Sequence, residues 1–139
     1  MSEELRTDAV SVVFTTVDDT IEAAKVAAGL AAAMHVALRV VHVRTVPRPL
    51  PVNEPDGLSP IETQSFVARL RREGITARTR VYLCRDALRA IGFAFRSNSI
   101  VVIGGRRSWW PTRAERWRRA LEAAGHFVLF VDHKELFHA

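Results

Sequence analysis

The sequence predicts an α/β fold, a five-stranded parallel sheet covered by helices on both faces. Three observations carry the prediction. Apolar, β-branched runs alternate with helical stretches in the order β-α-β-α-β-α-β-α-β, the signature of strands joined by crossover helices. The runs Ala9–Val17, Ile100–Ile103 and Phe127–Val131 carry no charge at all, as strands buried on both faces require. Finally, 139 residues suit one domain with one sizeable core.

Each element follows from local chemistry. "AVSVVFTTV", residues 9–17, reads as the first strand, and "DDT" at 18–20 as a helix start, because short oxygen-bearing side chains accept from free backbone N–H groups. The alanine-rich helix 21–34 suits close packing on a sheet. "VALRVVHV", 36–43, is the second strand. Residues 44–60 hold five of the six prolines and form neither helix nor ladder, so they are expected to be a long loop. Ser59-Pro60 opens a helix that turns Ile61, Phe66, Val67 and Leu70 inward and stops at Gly74. "ITARTRVYL", 75–83, alternates as a strand, and Asp86 opens a helix running to Phe95. After the strand 100–103, Pro111-Thr112 opens a helix that ends before Gly125, and "FVLFV", 127–131, is the last strand. The tail 133–139 is expected to be partly ordered at best.

Composition excludes some functions. Apolar runs such as Phe127–Val131 are too short to span a bilayer. The acidic, polar start does not read as a secretory leader, and Cys84 is the only cysteine, so the expected compartment is the cytoplasm. The histidines His133 and His138 stand without grouped acids or cysteines, and no zinc or Ser-His-Asp pattern occurs. No metal and no enzymatic activity are expected, and Cys84 reads as a buried structural thiol.

The net charge is +5, carried almost wholly by arginine, since Lys25 and Lys134 are the only lysines. Arginine richness fits either an affinity for phosphates or a coding bias. Six arginines nevertheless crowd residues 106–119 against the single acid Glu115. Helical geometry puts Ala114, Trp117, Leu121 and Ala124 on one inward face, with Arg116, Arg118 and Arg119 in solvent. Trp109 and Trp110 precede that helix. With Arg113 and Arg116 they form a candidate surface for an acidic partner, as Trp and Arg are enriched at interfaces. An anionic membrane surface and single-stranded nucleic acid are further options, without a matching motif for either.

Several stretches in order resemble the universal stress protein family, of the adenine nucleotide α-hydrolase-like group. "FTTVDDT" resembles the family's first strand and Asp-Gly-Ser-like turn, and "LRVVHV" its Leu-His-Val strand. "REGITARTRVYLCRDALRAI" resembles its third strand and following helix start, "SNSIVVIGG" its Asp-Leu-Ile-Val-Met-Gly strand, and "EAAGHFVLFVD" its last strand. The likeness spans residues 8–132. It implies a Rossmann-like sheet in the order 3-2-1-4-5, a stress-response binding module, and a homodimer paired through the last strand, Phe127, Val128, Leu129, Phe130 and Val131. A bare apolar edge needs such a partner on physical grounds as well.

The family's ATP-binding members share Gly-x2-Gly-x9-Gly-Ser/Thr after the fourth strand, where backbone N–H groups approach phosphates. Here Gly104 and Gly105 keep the first turn, but Arg107 stands at the second glycine. After nine intervening residues comes Trp117, and alignment from the last strand puts Ala114-Glu115 at Gly-Ser. Two readings follow. Either ATP binding is lost, or Arg106, Arg107 or Arg113, with Ser108 nearby, grips a phosphate by its side chain. At the adenine end, Val43 matches the family's backbone contact. Asp18 matches the family's aspartate by local string, and Thr15 by counting back from His42. The resemblance thus implies no obligatory cofactor, with ATP or another adenine nucleotide as the ligand to consider.

Overall fold

The structure, a computed structural model, describes residues 9–45, 60–95, 99–106 and 112–132. Five strands, β1 (Ala9–Val13), β2 (Ala37–Thr45), β3 (Arg78–Cys84), β4 (Ile100–Gly105) and β5 (Phe127–Asp132), form one sheet in the order β3-β2-β1-β4-β5. Every pairing is parallel. The helices are α1 (Val17–Met34), α2 (Pro60–Arg72), α3 (Ala87–Ala90) and α4 (Arg113–Ala123). The fold class and strand order are those the sequence implied.

β1 lies at the centre, and all five of its residues are buried. Its side chains alternate between two cores. Val10 and Val12 meet Ala23, Ala24, Ala27 and Ala31 of α1, with Phe66 and Leu70 of α2. Val13 joins Val41, Ile103, Ile91 of the segment after α3, and Trp117 and Leu121 of α4. The alanines let α1 lie close to the sheet. Each large side chain so buried contributes about 1.5–3 kcal/mol.

Boundaries differ from expectation where side-chain capping competes with strand propensity. β1 ends at Val13, not Val17. Phe14 N–H makes a last bond to Val41 O at 2.8 Å, and the chain then turns. The α1 cap is Thr16, whose Oγ1 accepts from Asp19 N–H at 3.2 Å. A threonine favours a strand and a helix cap alike. Asp18 and Asp19 therefore sit in the first turn, where the helix dipole favours negative charge. β2 runs on to Thr45, which takes Arg44 and Thr45 out of the expected loop. The remainder of that loop, 46–59, lies outside the described residues.

β3 starts at Arg78 because Ile75 is spent on the helix end, its N–H bonded to Leu70 O at 2.9 Å beyond Gly74 at φ +72°. The helix expected over 86–95 is one α-turn capped by Asp86, followed by a 3-10 turn at Ile91–Phe93. There Gly92 passes so close to α4 that an added Cβ would lie 2.9 Å from Ala124 Cβ. Ala114, Trp117 and Leu121 are buried as expected, whereas Ala124 is exposed past the helix end. His126, just before β5, is buried against the 3-10 turn and the Phe95 ring. Its Nδ1 accepts from Ser99 N–H at 3.3 Å, and its Nε2 lies 2.8 Å from Gly92 O as donor.

Candidate functional site

All five strands point their C-terminal ends the same way. α1 and α2 cover one face and α3 and α4 the other, so the winding reverses between β1 and β4. In such sheets ligands bind in the crevice outside the strand ends at that reversal. Three adjoining cavities occupy this end of the molecule, and Arg113 lines all of them.

The largest, about 730 Å³, opens over the end of β2. Val43, Arg44 and Thr45 form its floor. Phe14 and Phe66 supply an aromatic wall with His42. The Phe14 ring lies 4.5 Å from His42, tilted by 31°, and meets Phe66 edge-on at 5.2 Å. Trp117 lines the same cleft, with the Arg113 guanidinium 4.2 Å from its ring centroid. This is a cation–π contact on a partly desolvated cation. Burial pulls the Arg113 pKa below its ordinary value, but a guanidinium stays charged at neutral pH.

The second cavity, about 450 Å³, holds the β1–α1 turn and the β4–α4 side: Thr15, Thr16, Asp18, Asp19, Gly105, Arg106, Thr112 and Ala114. This is the side where a glycine loop would cradle phosphates. Both helix N-termini here are already furnished. Thr16 Oγ1 caps α1, and Thr112 Oγ1 accepts from Glu115 N–H at 3.2 Å to cap α4. Acids occupy both first turns, Asp18 and Asp19 in α1 and Glu115 in α4. They take the stabilisation that an anion would otherwise draw from the dipole.

Gly104 and Gly105 have a packing role in the structure. A Cβ on Gly104 would stand 2.1 Å from Asp19 O in the first turn of α1. One on Gly105 would stand 2.5 Å from Ala114 Cβ of α4. The two glycines let α1 and α4 close on β4 from opposite faces. Thr15 locks the same junction, its Oγ1 donating to Gly104 O at 2.9 Å.

The residues singled out in the sequence divide accordingly. Val43 is in the aromatic cleft, while Asp18 and Thr15 both line the second cavity and neither lines the cleft with Val43. Asp18 is exposed and ion-paired with Arg69 of α2. Arg106 is exposed at the end of β4, and Arg116 is exposed on α4. Arg107, Ser108, Trp109 and Trp110, like His133 and His138, lie outside the described residues. Cys84 is half-buried, its Sγ 3.5 Å from Arg44 O as donor, and burial followed by the nearby Asp86 charge raises its pKa.

The sequence did not single out Phe14, Phe66, Arg44 or Arg85 as site residues. The available signal was position, since each lies at or just past a strand end or on a helix facing one. Among the described residues no group of three or more His, Cys, Asp or Glu side chains could hold a metal, and no helix is long and apolar enough to cross a membrane.

No protein-family model matches the sequence, and no curated protein matches it. Solved structures do. A universal stress protein from Archaeoglobus fulgidus superposes with TM-score 0.64 at 20% identity, over 91% of this chain and 94% of that one. The Archaeoglobus fulgidus protein in complex with dAMP gives TM-score 0.60 at 19% identity, over 92% and 99%. A universal stress protein in complex with cAMP gives 0.57 at 16%, over 89% and 96%. The chain has the universal stress protein fold.

Proposed function

We propose that this chain is a single-domain, non-catalytic regulatory module of the universal stress protein type, working in the cytoplasm, and that it binds an adenine nucleotide with few phosphates in place of ATP. One observation carries the reading. The 730 Å³ cleft combines an aromatic wall, the end of β2 at Val43–Thr45, and the Arg113 side chain stacked on Trp117. An aromatic-walled cleft with a few placed polar groups suits a nucleobase, and a guanidinium suits one phosphate bidentately. The same fold carries dAMP and cAMP in two of its neighbours.

A long phosphate chain fits less well. The glycines at the end of β4 serve helix packing, Asp18 and Asp19 line the second cavity, where further phosphates would run, and Glu115 holds the first turn of α4. Altered ATP binding, with Arg113 supplying the grip the missing glycines would have given, accounts for both features. Arg106 and Arg107 are the other side chains available for that grip.

Calorimetric titration tests this. AMP is expected to bind at least as tightly as ATP, and Arg113→Gln to weaken AMP about tenfold, the order of one charge-assisted contact. No binding of adenosine, AMP or ATP at millimolar concentration overturns the reading. In that case salt-sensitive binding of an acidic protein, lost in Arg106→Ala/Arg107→Ala, would make the basic face an interaction surface. We also propose that β5 pairs with its copy in a homodimer, the exposure of Phe127 and Leu129 being the support.

A further inference from the structure

β3 closes one side of the sheet and pairs with β2 alone. Among the described residues no strand lies beyond it, so the backbone groups along its outer side have no ladder to join. Register assigns its side chains to faces. Arg39, Val41 and Val43 of β2 stand opposite Arg78, Arg80 and Tyr82, and Val41 and Val43 belong to the core under α4. Partners in register share a face, and alternate residues of a strand do too. Arg39, Arg78, Arg80 and Tyr82 therefore lie on the α4 face. The helix at this corner, α3, is a single turn, and its Ala87 packs with Val43 toward the C-terminal end of β2. Nearer the start of β3, Arg78, Arg80 and Tyr82 are exposed and Arg39 is half-buried.

Three guanidinium groups thus stand side by side, and β2 and β3 contain no acid. Among the described residues none of the three takes part in an ion pair, unlike Lys25, Arg69 and Arg118. The other face of β3 carries Thr79, Val81 and Leu83, with Val81 exposed. A second copy of β3 on this edge would set arginine beside arginine, which is unfavourable. A strand with carboxylates at every second position reverses the sign of that interaction.

We propose that the outer edge of β3 is a docking surface for an extended segment of another protein, in which acidic residues alternate with β-branched apolar ones. The segment adds a sixth strand. Its carboxylates meet Arg78 and Arg80 on one face, and its apolar side chains cover Val81 on the other. Main-chain bonds supply affinity and the alternate side chains supply specificity. A nucleic acid strand answers the charge but not the free backbone edge. Arg78 and Arg80 lie at the far end of the strands from the three cavities, so the proposal is independent of the nucleotide reading.

The probe is a fluorescein-labelled peptide, Val-Glu-Val-Glu-Val-Glu-Val, titrated with the intact protein and followed by anisotropy. It should bind about tenfold more tightly than Glu-Glu-Glu-Val-Val-Val-Val, which has the same composition without the alternation, as two cross-strand charge pairs provide. Binding should weaken between about 0.05 and 0.5 M salt, and it should slow amide hydrogen exchange along β3. Arg78→Thr/Arg80→Thr, neutral and strand-favouring, should bind the probe about tenfold less tightly. Arg78→Glu/Arg80→Glu should lose the probe and bind Val-Lys-Val-Lys-Val-Lys-Val instead, a gain that only a folded chain can show. Equal affinity for the alternating and block peptides, unchanged exchange along β3, or undiminished binding by the charge-reversed chain overturns the proposal. Tighter binding of oligothymidylate than of the peptide, lost in the charge-reversed chain, overturns it in favour of nucleic acid. Loss of a dimer mass in that same chain would make a second copy the occupant and overturns it equally.

Discussion

A methyl group on Gly104 would stand 2.1 Å from the carbonyl oxygen of Asp19 and 2.9 Å from its carbonyl carbon. Those are backbone atoms in the first turn of α1, and they cannot swing aside as a side-chain tip can. Gly104→Ala must push the start of α1 off the sheet, or bend β4 where Thr15 ties onto it. The expected loss is about 3 kcal/mol, the upper part of the range for overpacking a tight site. Gly29 is the internal control. It lies exposed on α1 with nothing within 4 Å of an added Cβ. Gly29→Ala should gain about 0.5–1 kcal/mol from helix propensity alone. Urea denaturation midpoints read both changes. If Gly104 served only a phosphate, Gly104→Ala would keep the parent midpoint and lose affinity instead. Stability loss at Gly104 with gain at Gly29 assigns the glycine to packing.

The ends of the helices hold the next test. α2 ends at Gly74 with φ +72°, and Gly125 follows α4 with φ +93°; α1 closes on His35, a non-glycine residue at φ 57°. The motif itself is complete there, with Val36 N–H bonded to Ala31 O at 3.0 Å and His35 N–H to Ala32 O at 3.2 Å. Only the side chain conflicts with the backbone, because a Cβ in the left-handed region crowds the next carbonyl at a cost of about 1 kcal/mol. His35→Gly should raise the melting temperature by about 2–4 °C, as expected for a chain of this size, and calorimetry would register it. An unchanged or lower melting temperature would mean that the imidazole makes up the cost. This element also marks the limit of what was legible. Helix and strand order followed from periodicity, and the glycine stops of α2 and α4 from composition. The starts of α1 and β3 did not, because Thr15-Thr16 and Ile75 suit strand and helix cap equally until the neighbouring chain is in place.

At the scale of the whole molecule, the site was legible as a location but not as a set of contacts. "IVVIGG" marked a strand end at the edge of the sheet where ligands bind in folds of this class. That Gly104 faces α1 and Gly105 faces α4 depends on packing that no local string encodes. Arg85 and Arg116 line one cavity only because β3 ends and α4 begins at the same corner. The edges of the sheet were more readable. β3, at one edge, carries Arg78 and Arg80, and charges on an edge discourage pairing with another sheet. β5, at the other, carries no charge before Asp132 and exposes Phe127 by 76% and Leu129 by 43%. Both project on the α1 face, where the helix covers only Val131, so the described residues of an isolated chain leave this apolar strip and the edge beside it uncovered. Pairing of two β5 strands about a twofold axis satisfies the edge and buries the strip at once, and such self-complementary contact closes at two copies. Light scattering at micromolar concentration should therefore give a dimer mass. Phe127→Lys/Leu129→Lys, which puts charge on the strip while leaving Val128 and Phe130 in the core, should give a monomer with the parent's circular dichroism. A monomeric parent, or a doubly substituted chain that still dimerises, would move the interface away from β5.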